Sequence, residues 1–138
     1  MKRNNRKLSP DKFKCFVRYM ILVAKQKRCV TYSELENVFG LGHGQVGYYC
    51  GMLGDYCFKR DIPLLNGLVI SSTDCRPSKG YKWYEQKYGK SWGEAVSECW
   101  KLMHVSSSRK SQVQDFSERD EDVERFLAEQ NGPPGYVK

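Results

Sequence analysis

No apolar run in this chain approaches the roughly 18–20 residues that a membrane-crossing helix needs. The basic N-terminus leads into apolar residues that Lys14 and Arg18 interrupt, which argues against a secretory leader. A soluble, cytoplasmic protein with no membrane partner is the expectation. Histidine is scarce: the two imidazoles are His43 and His104, with no Gly-x-Ser-x-Gly elbow or phosphate-cradling glycine loop beside them. Asp55, Asp61 and Asp74 lack the Glu-x-Lys spacing of a metal-dependent nuclease. Enzymatic activity is therefore not expected, and no residue is assigned a catalytic role.

The six cysteines, at 15, 29, 50, 57, 75 and 99, contain no Cys-x-x-Cys pair and no His-x-x-x-His partner. Cys50 and Cys57 share a helical face, but seven residues of helix place them about 10 Å apart. Two sulfurs bound to one zinc at about 2.3 Å each cannot be so distant. Free thiols, no metal and no cofactor are expected.

What is present is aromatic and asymmetrically charged. The 138 residues are 40% hydrophobic and 13% aromatic, enough for one folded domain rather than a disordered chain. The net charge of +7 conceals ten Lys/Arg against one Asp in residues 1–28, and seven Asp/Glu against three Lys/Arg in residues 113–138. A cationic arm of this kind suits a polyanion, because each phosphate it neutralises releases condensed counterions.

Local signals order the chain. Ser9 caps a helix with Pro10 in its first turn, and Phe13, Phe16, Val17, Met20 and Ala24 mark its buried stripe. After the short extended piece Cys29–Tyr32 comes a helix ending at Gly40. Its start is either the capping box Ser33…Glu36 or the competing Thr31…Glu34 a turn earlier. Leu41-Gly42 is a tight turn, and a tyrosine-rich helix follows over roughly residues 43–59. Its Gly47, Gly51 and Gly54, at i, i+4 and i+7, leave one side nearly bare backbone. A neighbouring helix packed on that side is favoured over a DNA backbone. Residues 64–70 then read as a buried strand, 71–80 as a basic loop, and Tyr81-Lys-Trp-Tyr84 as a returning strand. The box Ser91…Glu94 opens a helix whose stripe of Trp92, Ala95, Val96, Cys99, Trp100 and Met103 should be core. Residues 116–130 form an acidic amphipathic helix with Val123, Phe126 and Leu127 on one side.

Helix, turn, helix, strand and basic loop is the order of a winged helix-turn-helix, so the expected class is α+β, with additional C-terminal helices. The expected organisation is a flexible basic arm (1–8), a winged-helix domain (9–105), then a polar linker and acidic helix (106–138). Double-stranded DNA is the expected partner. His43, Gln45 and Tyr48 would meet it from the second helix, and glutamine can pair with adenine through two hydrogen bonds. Arg76, Lys79 and Lys82 would neutralise phosphates from the wing, and Lys2, Arg3, Arg6 and Lys7 would add sequence-independent affinity from the arm.

The segment Val30-Thr-Tyr-Ser-Glu-Leu35, followed by Val46-Gly47, Met52, Gly54 and Pro63, resembles the DNA-binding subdomain of the alkylguanine-DNA alkyltransferases. The resemblance covers about 40 residues and implies the fold and DNA contact. That family's Pro-Cys-His-Arg motif would fall at Pro63-Leu-Leu-Asn66, which has neither the Cys nor the His, and its helix arginine is missing near Gly44 or Gln45. Alkyl transfer is therefore not implied. A looser likeness to bacterial and phage proteins of uncharacterised role rests on Pro63-Leu64, Leu68–Ile70 and the Pro77–Gly80 turn. The alternative reading is a protein-docking module or phage-type inhibitor, using Tyr48, Tyr49 and Tyr56 or the acidic helix as its partner surface.

Overall fold

The computed structural model describes residues 8–77, 81–102 and 116–131, without the side chains of Trp83, Tyr84, Leu102 and Asn131. Helices dominate, with one small sheet: the class is α+β. Among the described residues no helix is long and apolar enough to cross a membrane.

Helix α1 (Pro10–Lys25) starts where the sequence places it: Ser9 Oγ accepts the Lys12 amide at 3.3 Å, and Pro10 occupies the first turn. Its inward stripe, Phe13, Phe16, Val17, Met20 and Ala24, is fully buried and forms the centre of the core. Strand β1 (Val30–Thr31) leads directly into α2 (Tyr32–Phe39). Of the two competing caps Thr31 prevails, its Oγ1 accepting the Glu34 amide at 3.1 Å. The Glu34 carboxylate is then free to bind Tyr19 and Arg28. Gly40, at φ +63°, ends α2 in the left-handed conformation that only glycine adopts cheaply. Helix α3 (His43–Lys59) follows after the two-residue turn. It buries Val46, Tyr49, Cys50, Leu53, Tyr56 and Cys57 against α1 and the segment after Pro63.

Two strand expectations are corrected. Residues 64–70 do not form one strand: a 3-10 turn occupies Leu65–Leu68, and β2 is only Val69–Ile70. Burial of Leu64 through Val69 without alternation is compatible with either conformation, so periodicity could not separate them. β2 pairs with β1 in parallel, Val30 opposite Val69 and Thr31 opposite Ile70. The expected returning strand at Tyr81–Tyr84 is instead part of α4 (Tyr81–Tyr88). Tyr81 is buried, Glu85 accepts the Trp92 amide at 3.1 Å, and Tyr88 stacks on Phe58 and donates to Asp55. Those residues share one helical face, and that 3.6-residue period outweighs a four-residue alternation of aromatics.

Gly67 shows how tightly the 3-10 turn is held. A Cβ there would meet the Ala95 Cβ at 3.2 Å and the Tyr81 hydroxyl at 3.5 Å. The Ala95 methyl cannot rotate away, so Gly67→Ala forces α5 (Trp92–Leu102) outward. A loss of about 1–2 kcal/mol in urea unfolding at unchanged m-value is expected.

Helix α5 has the anticipated box, Ser91 Oγ accepting the Glu94 amide and Glu94 accepting the Ser91 amide at 3.0 Å. Its expected core stripe is only half realised: Ala95 and Cys99 are buried, whereas Trp92, Val96 and Trp100 remain partly exposed. Helix α6 (Ser117–Asn131) inserts Val123, Phe126 and Leu127 into the same core. Its carboxylates bind back to cations: Asp120 to Arg18 at 3.1 Å, Glu124 to Lys14 at 2.6 Å, and Asp122 to Arg60 at 2.9 Å. Residues 1–7 of the arm, the linker 106–115 and Met103 lie outside the described residues.

Candidate nucleic-acid interface

The α2–turn–α3 unit places the first turns of α3 at the surface. His43 and Gly44 are exposed, Gln45 and Tyr48 half-buried, and Gly47 exposed. A Cβ added to Gly44 or Gly47 would meet nothing within 4 Å. Among the described residues, the packing helix anticipated on the glycine side is therefore absent from this end of α3. Further along the same side Gly51 is half-buried and Gly54 buried. The bare face is split: open at its N-terminal half, packed at its C-terminal half.

Beside the open half lies a cleft of about 290 Å³ between the starts of α2 and α3 and the loop after β2, lined by Tyr32, Ser33, Glu36, His43, Ser71 and Ser72 as well as Gly47. Its electrostatics differ from a plain cationic site. The His43 Nδ1 lies 2.9 Å from a Glu36 carboxylate oxygen, while the imidazole is 87% exposed. Where the carboxylate accepts from Nδ1–H, the other ring nitrogen, Nε2, is the one outside this contact.

Gln45 also caps its own helix. Its Oε1 accepts the Gly42 amide at 3.0 Å, because Gly42 occupies the N-cap position without a side chain of its own. That bond engages one lone pair of the amide oxygen and orients the side chain along the start of α3. Tyr48 is packed against the core edge instead of standing free.

The loop after β2 is compact. The Ser71 amide donates to the Arg76 carbonyl at 2.8 Å, and the Cys75 amide to the Ser71 carbonyl at 2.9 Å. Cys75 takes a positive φ of 56°, and the Arg76 side chain is exposed. Arg76 thus stands on a self-bonded loop next to the cleft, not on a two-stranded wing. Lys82 is exposed on α4, a helix tied through Tyr88 to the C-terminal half of α3. It is not placed on a wing strand. Lys79 and the arm cations Lys2, Arg3, Arg6 and Lys7 lie outside the described residues. Helix α6 engages Lys14, Arg18 and Arg60. Folding back on the basic N-terminal segment is one of the options that the charge separation offers the acidic helix; the cations it meets here lie in α1 and at the end of α3.

The six thiols are free; Cys15 and Cys75 are exposed, Cys29 half-buried, and Cys50, Cys57 and Cys99 buried. Burial pushes the Cys50 and Cys57 thiols up to about 12, which makes them inert as nucleophiles. Among the described residues no group of three potential ligands is arranged to hold a metal ion.

The architecture defines a helix-rich α+β chain with a helix–turn–helix at one surface. No protein-family model, no curated protein and no solved structure matches it.

Proposed function

We propose that this chain is a non-catalytic nucleic-acid-binding protein that takes double-stranded DNA on the open N-terminal half of α3, as a helix-turn-helix with a reduced wing. The observation that carries the proposal is that, among the described residues, nothing obstructs the backbone at Gly44 and Gly47, at the exposed end of α3 across a cleft from the start of the loop that carries Arg76. A helix start without side chains lets a phosphate backbone approach the amide groups closely. His43 supplies a base or phosphate contact, Arg76 and Lys79 flank it from the loop, and Lys2, Arg3, Arg6 and Lys7 provide the salt-sensitive, sequence-independent part.

Fluorescence anisotropy with a random-sequence duplex across a salt series tests this. Gly47→Glu adds bulk and negative charge to the open face while improving helix propensity, so it should preserve the melting temperature and weaken binding at least about tenfold. Arg76→Ala/Lys79→Ala should flatten the log–log salt slope by about 1–2, as expected for one or two lost phosphate contacts. Absence of binding at low salt, or affinity indifferent to both variants, would remove the proposal.

A further inference from the structure

A second surface lies at the opposite end of the β1–β2 pair. Tyr32 and Ser71, which line the α3 cleft, follow the two parallel strands; Arg28 and Gly67, which precede them, hold α5. The Trp92 Nε1–H donates to the Gly67 carbonyl at 2.6 Å, and the Trp100 Nε1–H to the Arg28 carbonyl at 3.4 Å. Both indole donors are thereby satisfied inward, and both rings are fixed. Trp92, Val96 and Trp100 recur at i, i+4 and i+8, a stripe about 12 Å long. They line an open groove of about 580 Å³ that also includes Ser97, Lys27 and Lys101. The cations gather at one end: Lys101 follows Trp100 in α5, and Lys27 adjoins the Arg28 whose carbonyl holds that indole.

Lys27 itself is unusual. It follows the last turn of α1 at φ +55°, the left-handed position that glycine normally fills. A lysine there carries a backbone cost that glycine would avoid, and it puts an exposed cation at the edge of the groove.

We propose that this groove binds single-stranded nucleic acid, with unpaired bases on Trp92 and Trp100 and backbone phosphates at Lys27 and Lys101. Stacking on aromatic rings tolerates any base and needs ring surface and nearby cations, not hydrogen-bond donors. The groove supplies those features: indole rings with no N–H left to offer, an apolar centre, and cations at the border. An amphipathic partner helix would call for an apolar trough walled by two elements; here the floor is one helix face. The surface is distinct from the α3 face, so the two bind independently.

The test uses the full-length chain at low ionic strength, titrated with a twelve-residue oligothymidylate while tryptophan emission is followed. Saturable quenching is expected. Trp92→Leu keeps an apolar filler without the ring and should weaken binding about tenfold. Lys27→Gly/Lys101→Gln should weaken it at least about fivefold, leave random-duplex affinity unchanged, and leave the melting temperature equal or about 1–3 °C higher. Duplex binding lost with strand binding kept would remove the helix-turn-helix reading and support the groove. No quenching, or quenching indifferent to both variants, overturns the groove assignment. A response to an acidic Leu/Glu peptide without one to the oligothymidylate also overturns it, in favour of protein docking.

Discussion

Replacing Phe126 with alanine is expected to lower stability by about 3–5 kcal/mol, the cost of emptying a fully buried aromatic site. Phe126 is the residue through which α6 enters the core. Its ring meets Tyr56 edge-on, with centroids 5.2 Å apart, and lies 5.9 Å below the Arg60 guanidinium. The residues around it belong to different helices, so the cavity cannot close by a local rotamer change. Thermal unfolding followed by circular dichroism should show the loss directly. The same variant should elute from immobilised heparin at higher salt than the parent, because loosening α6 exposes Lys14, Arg18 and Arg60 to the polyanion. Unchanged heparin elution together with the stability loss would mean that the acidic helix does not mask those cations.

Acid is expected to release the same helix. The Asp122 carboxylate accepts from Tyr56 at 2.7 Å and from Arg60 at 2.9 Å. Burial by itself would raise its pKa, but the hydrogen bonds from Tyr56 and Arg60, with the charge of Arg60, hold it below its ordinary value of 3.8. A carboxylate whose folded pKa is depressed stabilises the fold fully above its unfolded pKa. That contribution disappears as pH falls through the folded value. Glu34, held below its ordinary 4.5 by Tyr19 and Arg28 against the opposing effect of burial, acts in the same direction. Stability should therefore be flat from neutrality to about pH 5 and fall steeply below about pH 4. Asp122→Ala leaves Arg60 and Tyr56 without their shared acceptor. It should cost about 2–3 kcal/mol at pH 7, at the low end for a broken buried pair because Asp122 is 19% exposed. It should also make the acid limb shallower. An acid limb identical to that of the parent would show that other carboxylates govern acid unfolding.

The elements with strong local signatures are those that sequence reasoning located. α1 is set by Ser9, Pro10 and a regular apolar stripe. α3 begins and ends where Gly42 and Arg60 bound it. The α5 start is set by its reciprocal Ser91–Glu94 box. Where two local signals competed, one of them is realised. Thr31 caps α2 instead of Ser33, and Glu34 and Glu36 turn outward to Arg28 and His43. Gln45, read from its type and position as a base contact, also caps α3, because Gly42 has no side chain to do so.

By itself the sequence determined the periods of α1, α3 and the acidic helix, the Ser9 and Ser91 caps, the glycine-bare side of α3 and the opposite charge of the two ends. All of these depend on contacts within a few residues, or on composition. The tertiary structure alone decided the rest. It set which half of the glycine face stays open, that β2 lies parallel to β1 rather than beside a returning strand, and that the acidic helix covers the cations of α1. It also turned Trp92 and Trp100, expected in the core, into the lining of a groove. The strand pairing, the α6 coverage and the tryptophan groove each depend on a partner 25 or more residues away, as in Trp92 to Gly67 or Asp120 to Arg18, and no local pattern encodes which distant surface a side chain will meet.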